Sequence, residues 1–228
     1  MIANKKEFNL GLVMMAGFIG IYFFFMTPSF GGKNLLDFMD SLYNSISKDS
    51  AYYIPATAEK AEAYKGTAVS MEIKAASEAA AERMDKILQA NGMTVERQAE
   101  KLKIQGDLGM MLKGALDDAD AMFKNDDKPL NAKYGIVAKQ ATYDWWTSLD
   151  LMSKYLMKHD QFKESKIIQN VQTKALEPAY NYFGIEAQNI KDKVGIVIAS
   201  LAGYVVYTLW FGFGILFMFE GWGLKLEH

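Results

Sequence analysis

VGIVIASLAGYVVYTLWFGFGILFMF, residues 194–219, decides the reading of this chain: twenty-six consecutive residues without a charge. At about 1.5 Å of rise per residue, a helix of that length reaches about 39 Å, enough to cross the roughly 30 Å hydrocarbon core of a bilayer with tilt. Lys191 and Lys193 stand before the run, and Trp210, Trp222 and Lys225 are placed to occupy or flank the far interface. A buried core helix is the competing reading, and such length without one charge argues against it.

A second run, FNLGLVMMAGFIGIYFFFM at residues 8–26, follows Lys5 and Lys6 and ends at Pro28, Gly31 and Gly32. Its nineteen residues span roughly 28 Å as a helix. Ser29 and Gly31 provide a small-x-small cleavage pattern, but the expectation is an uncleaved signal anchor. The chain is therefore divided into a short cytoplasmic N-terminus (1–7), a first span (8–28), an extracytoplasmic domain (29–193), a second span (194–219) and a short cytoplasmic tail (220–228). The final Leu226-Glu227-His228 reads as the beginning of an appended affinity tag.

This division explains a misleading average. The 228 residues are 50% hydrophobic and 23% charged, with a mean hydropathy of -0.05, like an ordinary soluble protein. Almost all the charges fall between the spans. With 25 Lys+Arg against 27 Asp+Glu, no positive excess calls for nucleic acid. With no cysteine, disulfides, thiolate metal sites and thiol nucleophiles are excluded.

Small residues recur at four-residue spacing, Ala16 and Gly20 in the first span and Gly195, Ala199 and Gly203 in the second. Such faces let helix backbones approach in lipid, within the chain or between copies. Two spans place both termini on one side. The lysine pair ahead of the first span favours cytoplasmic termini, in a bacterial or archaeal cytoplasmic membrane.

Between the spans, the expected fold is all-α, an antiparallel helical bundle. Lys33–Ser47 reads as an amphipathic helix with Leu35, Phe38, Met39, Leu42 and Ile46 on one side. Pro55 opens a long helix to about Ala90, with a seam at Val69, Ile73, Ala76, Ala80, Met84 and Ile87. Thr94 caps the next, running to about Lys124 with Leu108, Leu112, Ala115, Ala119 and Met122 inward. Gly106, Gly109 and Gly114 call there for close approach or local softness. A third helix runs from Ala132 to Lys158, its regular pattern being Tyr134, Ala138, Ala141, Trp145, Ser148, Met152 and Tyr155. A last one carries Phe162, Ile168, Val171, Ala175, Tyr182 and Ile185 and is divided or kinked at Pro178. No alternating strand pattern stands out.

Chemistry is scarce. The sequence has no Glu-x-x-His pair, no His-Glu-x-x-His and no phosphate-binding glycine loop. His159 suits a helix C-terminus. Asp117, Asp118 and Asp120 point around a helix rather than at one ion. No catalytic residue, metal site or cofactor is assigned. The aromatic residues are more suggestive: Tyr143, Trp145 and Trp146 at mid-helix, and Tyr180, Tyr182 and Phe183 beside Pro178. Trp145 and Trp146 cannot both face one seam, so this group is the candidate interaction surface.

The expected function is non-enzymatic: a two-pass protein whose extracytoplasmic domain binds a partner protein or a second copy, as an accessory or scaffold subunit. The order of span, about 165 residues of helical domain and span is similar to the ligand-binding half of bacterial chemoreceptors, in length and order alone. That resemblance implies a small-molecule ligand and a sensory role. A component of an oligomeric transporter is a third reading, weakened by the lack of charge in the spans.

Overall fold

The computed structural model describes residues 2–224; Lys225 and the tag-like end lie outside the described residues. The chain divides into two compact units, Met1–Ile46 with Ala187–His228, and Ser47–Glu186.

The first unit holds two helices long and apolar enough to cross a membrane, α1 (Lys5–Phe25) and α10 (Ile190–Trp222). Asn4 starts α1 by accepting from the backbone N–H of Lys6 at 3.1 Å, and Asn189 does the same for Lys191 at 3.0 Å. Such caps occupy backbone donors that a first turn leaves unpaired. The start of α1 lies beside the end of α10, where the Asn4 N–H donates to the Gly221 carbonyl at 2.9 Å. Glycine permits the contact. A Cβ on Gly11 would stand 2.6 Å from the Met218 nitrogen, and one on Gly221 would strike the Phe8 backbone. Trp210 fixes the register by donating its indole N–H to the Met14 carbonyl at 2.9 Å. The helix α2 (Leu35–Ser50) begins on an Asn34 cap, which accepts from the Asp37 N–H at 2.8 Å. Within this unit Tyr43 bonds the Ser200 hydroxyl of α10 at 2.6 Å.

The second unit is mostly helical around a small sheet. Its order is α3 (Ile54–Glu62), β1 (Ala68–Lys74), α4 (Glu78–Gln89), β2 (Thr94–Gln98), β3 (Lys101–Asp107), α5 (Leu108–Phe123), α6 (Lys128–Tyr134), α7 (Ala138–Lys158), α8 (Phe162–Val171) and α9 (Glu177–Asn181). The sheet corrects the all-α expectation. Its strands run in the order β1-β3-β2, both pairs antiparallel.

The physical reason lies in the alternation. Val69, Met71 and Ile73 are buried while the residues between them are exposed, and Leu102 and Ile104 do the same in β3. That is a period of two, which lays one apolar face on the core. Val69 and Ile73 are also four apart, so the stretch satisfies helical spacing if Met71 is overlooked. The long helix expected from Pro55 is thus three elements, broken at Gly66 (φ 84) and restarted at Ser77, whose side chain accepts from Ala80 N–H at 3.2 Å. Thr94 begins β2 rather than a helix. A two-residue turn joins β2 to β3, since Gln98 faces Lys101, with Ala99 at φ 52.

Asp107 makes the corner from β3 into α5. It accepts from Met110 N–H at 3.0 Å and Gly66 N–H at 2.6 Å, and these bonds hold its carboxyl below the usual range. The expected close approaches are real at all three glycines: a Cβ on Gly106 would stand 2.7 Å from the Met93 sulfur. A Cβ on Gly109 would collide with the Lys65 backbone, and one on Gly114 with the Asn91 side chain.

The expected inward face of α5, Leu108, Leu112, Ala115, Ala119 and Met122, is buried. So are Ala138, Ala141, Trp145, Ser148 and Met152 of α7, while Tyr155, expected on the same face, is half-buried. Phe162, expected to face inward from α8, is exposed. Pro178 divides the last helix as expected. Lacking an N–H, it leaves the Lys174 carbonyl without its helical partner, and the turn before it, Gln172–Leu176, widens to a π-helix.

Candidate functional site

Within the second unit, an open groove of about 1290 Å³ runs between α4, the α6–α7 connection, the first turns of α7 and α9. Local sequence dictates its rim. The helix α6 stops at Gly135, whose φ of 67 is ordinary for glycine. The next helix starts at Ala138 without a capping side chain at Val137. Asn131 supplies the missing acceptor, taking the Ala138 N–H at 2.7 Å. In the two-residue link between these stops Ile136 packs against the core, and Val137 is left 71% exposed.

Along α7, Tyr143 projects into the groove at 51% exposure. Its ring centroid lies 6.4 Å from that of Tyr180 on α9. The Lys139 ammonium sits 4.8 Å from the Tyr180 ring centroid, where the negative face of the ring attracts it. The floor is Arg83 on α4 and Asp144 on α7, joined by Nε to Oδ2 at 2.6 Å and Nη2 to Oδ1 at 3.1 Å. Asp144 also accepts from Gln140 at 3.0 Å. The hydrogen bond to Asp144 raises the Arg83 pKa, against the effect of burial. Arg83 and Asp144 are already paired, so the groove offers aromatic faces, an aliphatic tip, the Lys139 ammonium and the Asp127 carboxylate, which accepts from the Asn131 amide at 3.1 Å. That is chemistry for recognition.

Of the six aromatic residues expected to form an interaction surface, only Tyr143 and Tyr180 line this groove. Trp145 is corrected: it is fully buried and donates its indole N–H to Oδ2 of Asp118 at 2.8 Å. The same carboxylate accepts from the Tyr134 hydroxyl and from Lys133 at 3.2 Å. Burial and the Asp118 carboxylate push the Tyr134 phenol far above its ordinary range. Trp146 is half-buried and donates to Glu177 at 2.9 Å. Tyr182 and Phe183 are also half-buried, packed against the core.

The small-residue faces lie away from the α1–α10 contact. Ala16, Gly20, Gly195, Ala199 and Gly203 are exposed, and a Cβ added at any of these three glycines meets nothing within 4 Å. Close approach instead uses Gly11, Gly17, Gly214 and Gly221. The seven-residue spacing of Gly214 and Gly221 was the available signal. Val137, Lys139 and Arg83 carry no sequence signature of a groove. Asp117 and Asp120 pair with Lys113 and Lys124, one turn away on α5 and at its end. Compared with known proteins, the chain matches no family, no curated protein and no solved structure.

Proposed function

We propose that α1 and α10 span a membrane and that the second unit binds a partner protein through its aromatic groove, as an accessory or scaffold subunit of a membrane complex. The observation carrying this is the groove itself: Val137, Tyr143 and Tyr180 gathered in the open beside the Arg83–Asp144 ion pair. Aromatic residues gathered this way are typical anchors of protein interfaces. A small ligand fits less well, because such pockets enclose most of their ligand and this groove is open. The spanning assignment draws on the apolar side chains that α1 and α10 leave exposed, among them Val13, Phe23, Ile198, Leu201 and Leu209. In water they would form an apolar surface far beyond what a soluble chain tolerates. Lys5 and Lys6 favour cytoplasmic termini and a second unit outside the cytoplasm. The small faces of Gly195, Ala199 and Gly203 are open to helices of the complex or of a second copy.

The absence of cysteine makes the test direct. Val137→Cys in the otherwise thiol-free chain should react with a membrane-impermeant maleimide on cells whose envelope is opened to the cytoplasmic membrane. Labelling only after that membrane is lysed would overturn the orientation. For the groove, a photo-crosslinker at position 143 should give a discrete adduct in native membranes, lost in Tyr180→Ala. An adduct indifferent to Tyr180, or none, would sink the partner-binding reading.

A further inference from the structure

The two ends of the second unit are tied together by a buried lysine. Lys48 is only 2% exposed. Its ammonium donates to the Asn125 side-chain oxygen at 2.9 Å, the Tyr182 carbonyl at 3.1 Å and the Ile185 carbonyl at 2.6 Å. The same nitrogen lies 5.1 Å from the Phe123 ring centroid. Three neutral oxygens and one aromatic face thus contact the ammonium directly, with the Glu186 carboxylate beyond them close enough to act on its charge.

Asn125 completes the arrangement. Its backbone takes φ 62, a conformation asparagine tolerates better than most residues. Its amide then pairs with the departing chain as a peptide group would. Oδ1 accepts from Gly184 N–H at 2.8 Å, and Nδ2 donates to the Ile185 carbonyl at 3.0 Å and to Glu186 at 3.2 Å. Residue 48 stands one position inside the unit's first boundary, and residue 185 one inside its last.

Holding an ammonium away from water among neutral oxygens is costly, and the gain from its hydrogen bonds is largely offset. Burial accordingly lowers the Lys48 pKa, with the Glu186 carboxylate opposing. The contacts are directional, yet their net hold is small.

We propose that Lys48 and Asn125 form a releasable clasp. Closed, it holds Tyr182–Glu186, the segment leading towards α10, against the start and middle of the unit. Open, it frees that segment while the core of α5 and α7 stays folded, so that its state decides whether the unit's two exits are held together. A lysine serving only general stability would behave differently, because its loss would loosen the whole cooperative core.

Hydrogen–deuterium exchange on the full-length protein in nanodiscs separates the two. Lys48→Met keeps the unbranched side chain out to the ε carbon and removes the ammonium. Asn125→Gly keeps the backbone conformation and removes the amide. Each variant should speed exchange in residues 182–186 by about tenfold or more, the scale of a lost hydrogen bond to a charged group, with core amides of α5 and α7 unchanged. If either variant leaves residues 182–186 within about twofold of the parent, well under that scale, the clasp is refuted. Uniform acceleration through α5 and α7 would refute it equally, because the contact would then belong to the global fold.

Discussion

Arg83 and Asp144 meet in a two-point ion pair whose partners are unequal: the Asp144 side chain is 1% exposed, while that of Arg83 is 29% exposed. The inequality sets an order of mutational cost. Removing Arg83 strands a carboxylate that cannot reach water, whereas removing the charge of Asp144 leaves a guanidinium that can turn outward. Arg83→Met should therefore cost about 3 kcal/mol and Asp144→Asn about 1 kcal/mol. Thermal unfolding in detergent gives the ranking. Equal losses, or the reverse order, would show that the buried charge is relieved in some other way.

The Trp145 indole reaches Asp118 inside the core. Trp145→Phe keeps most of the ring and deletes the donor, so it should cost about 1–3 kcal/mol through the under-satisfied carboxylate. Trp145→Ala adds a cavity and should cost about 3–5 kcal/mol. Chemical denaturation of both variants checks the pair. A neutral Trp145→Phe would mean that Tyr134 and Lys133 satisfy Asp118 alone.

Tyr134 predicts an alkaline limit. Its folded pKa lies above the ordinary tyrosine value of 10.0, so the unfolded chain loses this proton first. The stabilising contribution is complete below about pH 10 and is lost as pH rises beyond it. Tyr52, raised by its bond to Asp120, acts in the same direction but from an exposed position. Lys48, with a lowered pKa, acts in the opposite sense. Unfolding midpoints measured from pH 8 to 11 should fall less steeply in Tyr134→Phe than in the parent. Parallel curves would remove Tyr134 from the account.

The glycines of α1 and α10 separate contact from open space. Gly11→Ala places a methyl 2.6 Å from a backbone nitrogen, and the backbones must part at a cost of about 1–3 kcal/mol. Gly203→Ala meets nothing within 4 Å and should leave this helix pair unchanged. Disulfide trapping between cysteines introduced at positions 14 and 214, where a Cβ on Gly214 would lie 3.5 Å from that of Met14, reports the pairing. If Gly203→Ala alters the oligomeric state while the trapped pair forms normally, the outer face belongs to another copy.

Sequence made the apolar helices plain, because a long run without a single charge stands out against any helix that faces water. It made the inner faces of α5 and α7 plain as well, since their period is helical from end to end. The sheet was hidden by coincidence. Val69 and Ile73 satisfy both periods, and only Met71, together with the alternating Lys101-Leu102-Lys103-Ile104, tips the balance towards strand. Gly66 and Asp107 marked the boundaries but serve as well inside loops. Four of the six aromatic residues lie outside the groove, and Trp145 was misplaced for a different reason. A tryptophan beside an acidic residue distant in sequence looks like surface chemistry until folding brings Asp118 to it. The groove was illegible because Val137 is exposed by its place in the link between two helix ends, where Ile136 takes the inward position, and not by its own chemistry.

The clasp also settles where the second unit starts and stops in space. Because the Lys48 ammonium bonds the Ile185 carbonyl at 2.6 Å, the unit leaves the chain within a side chain's length of where it joined it. It is therefore built like an inserted module, and domains with adjacent termini tolerate circular permutation and grafting. New ends could be opened at an exposed turn such as Ala99-Glu100 and the old ones joined by a short linker. The helices that flank it would then be a host, and this unit a passenger that a different host could carry.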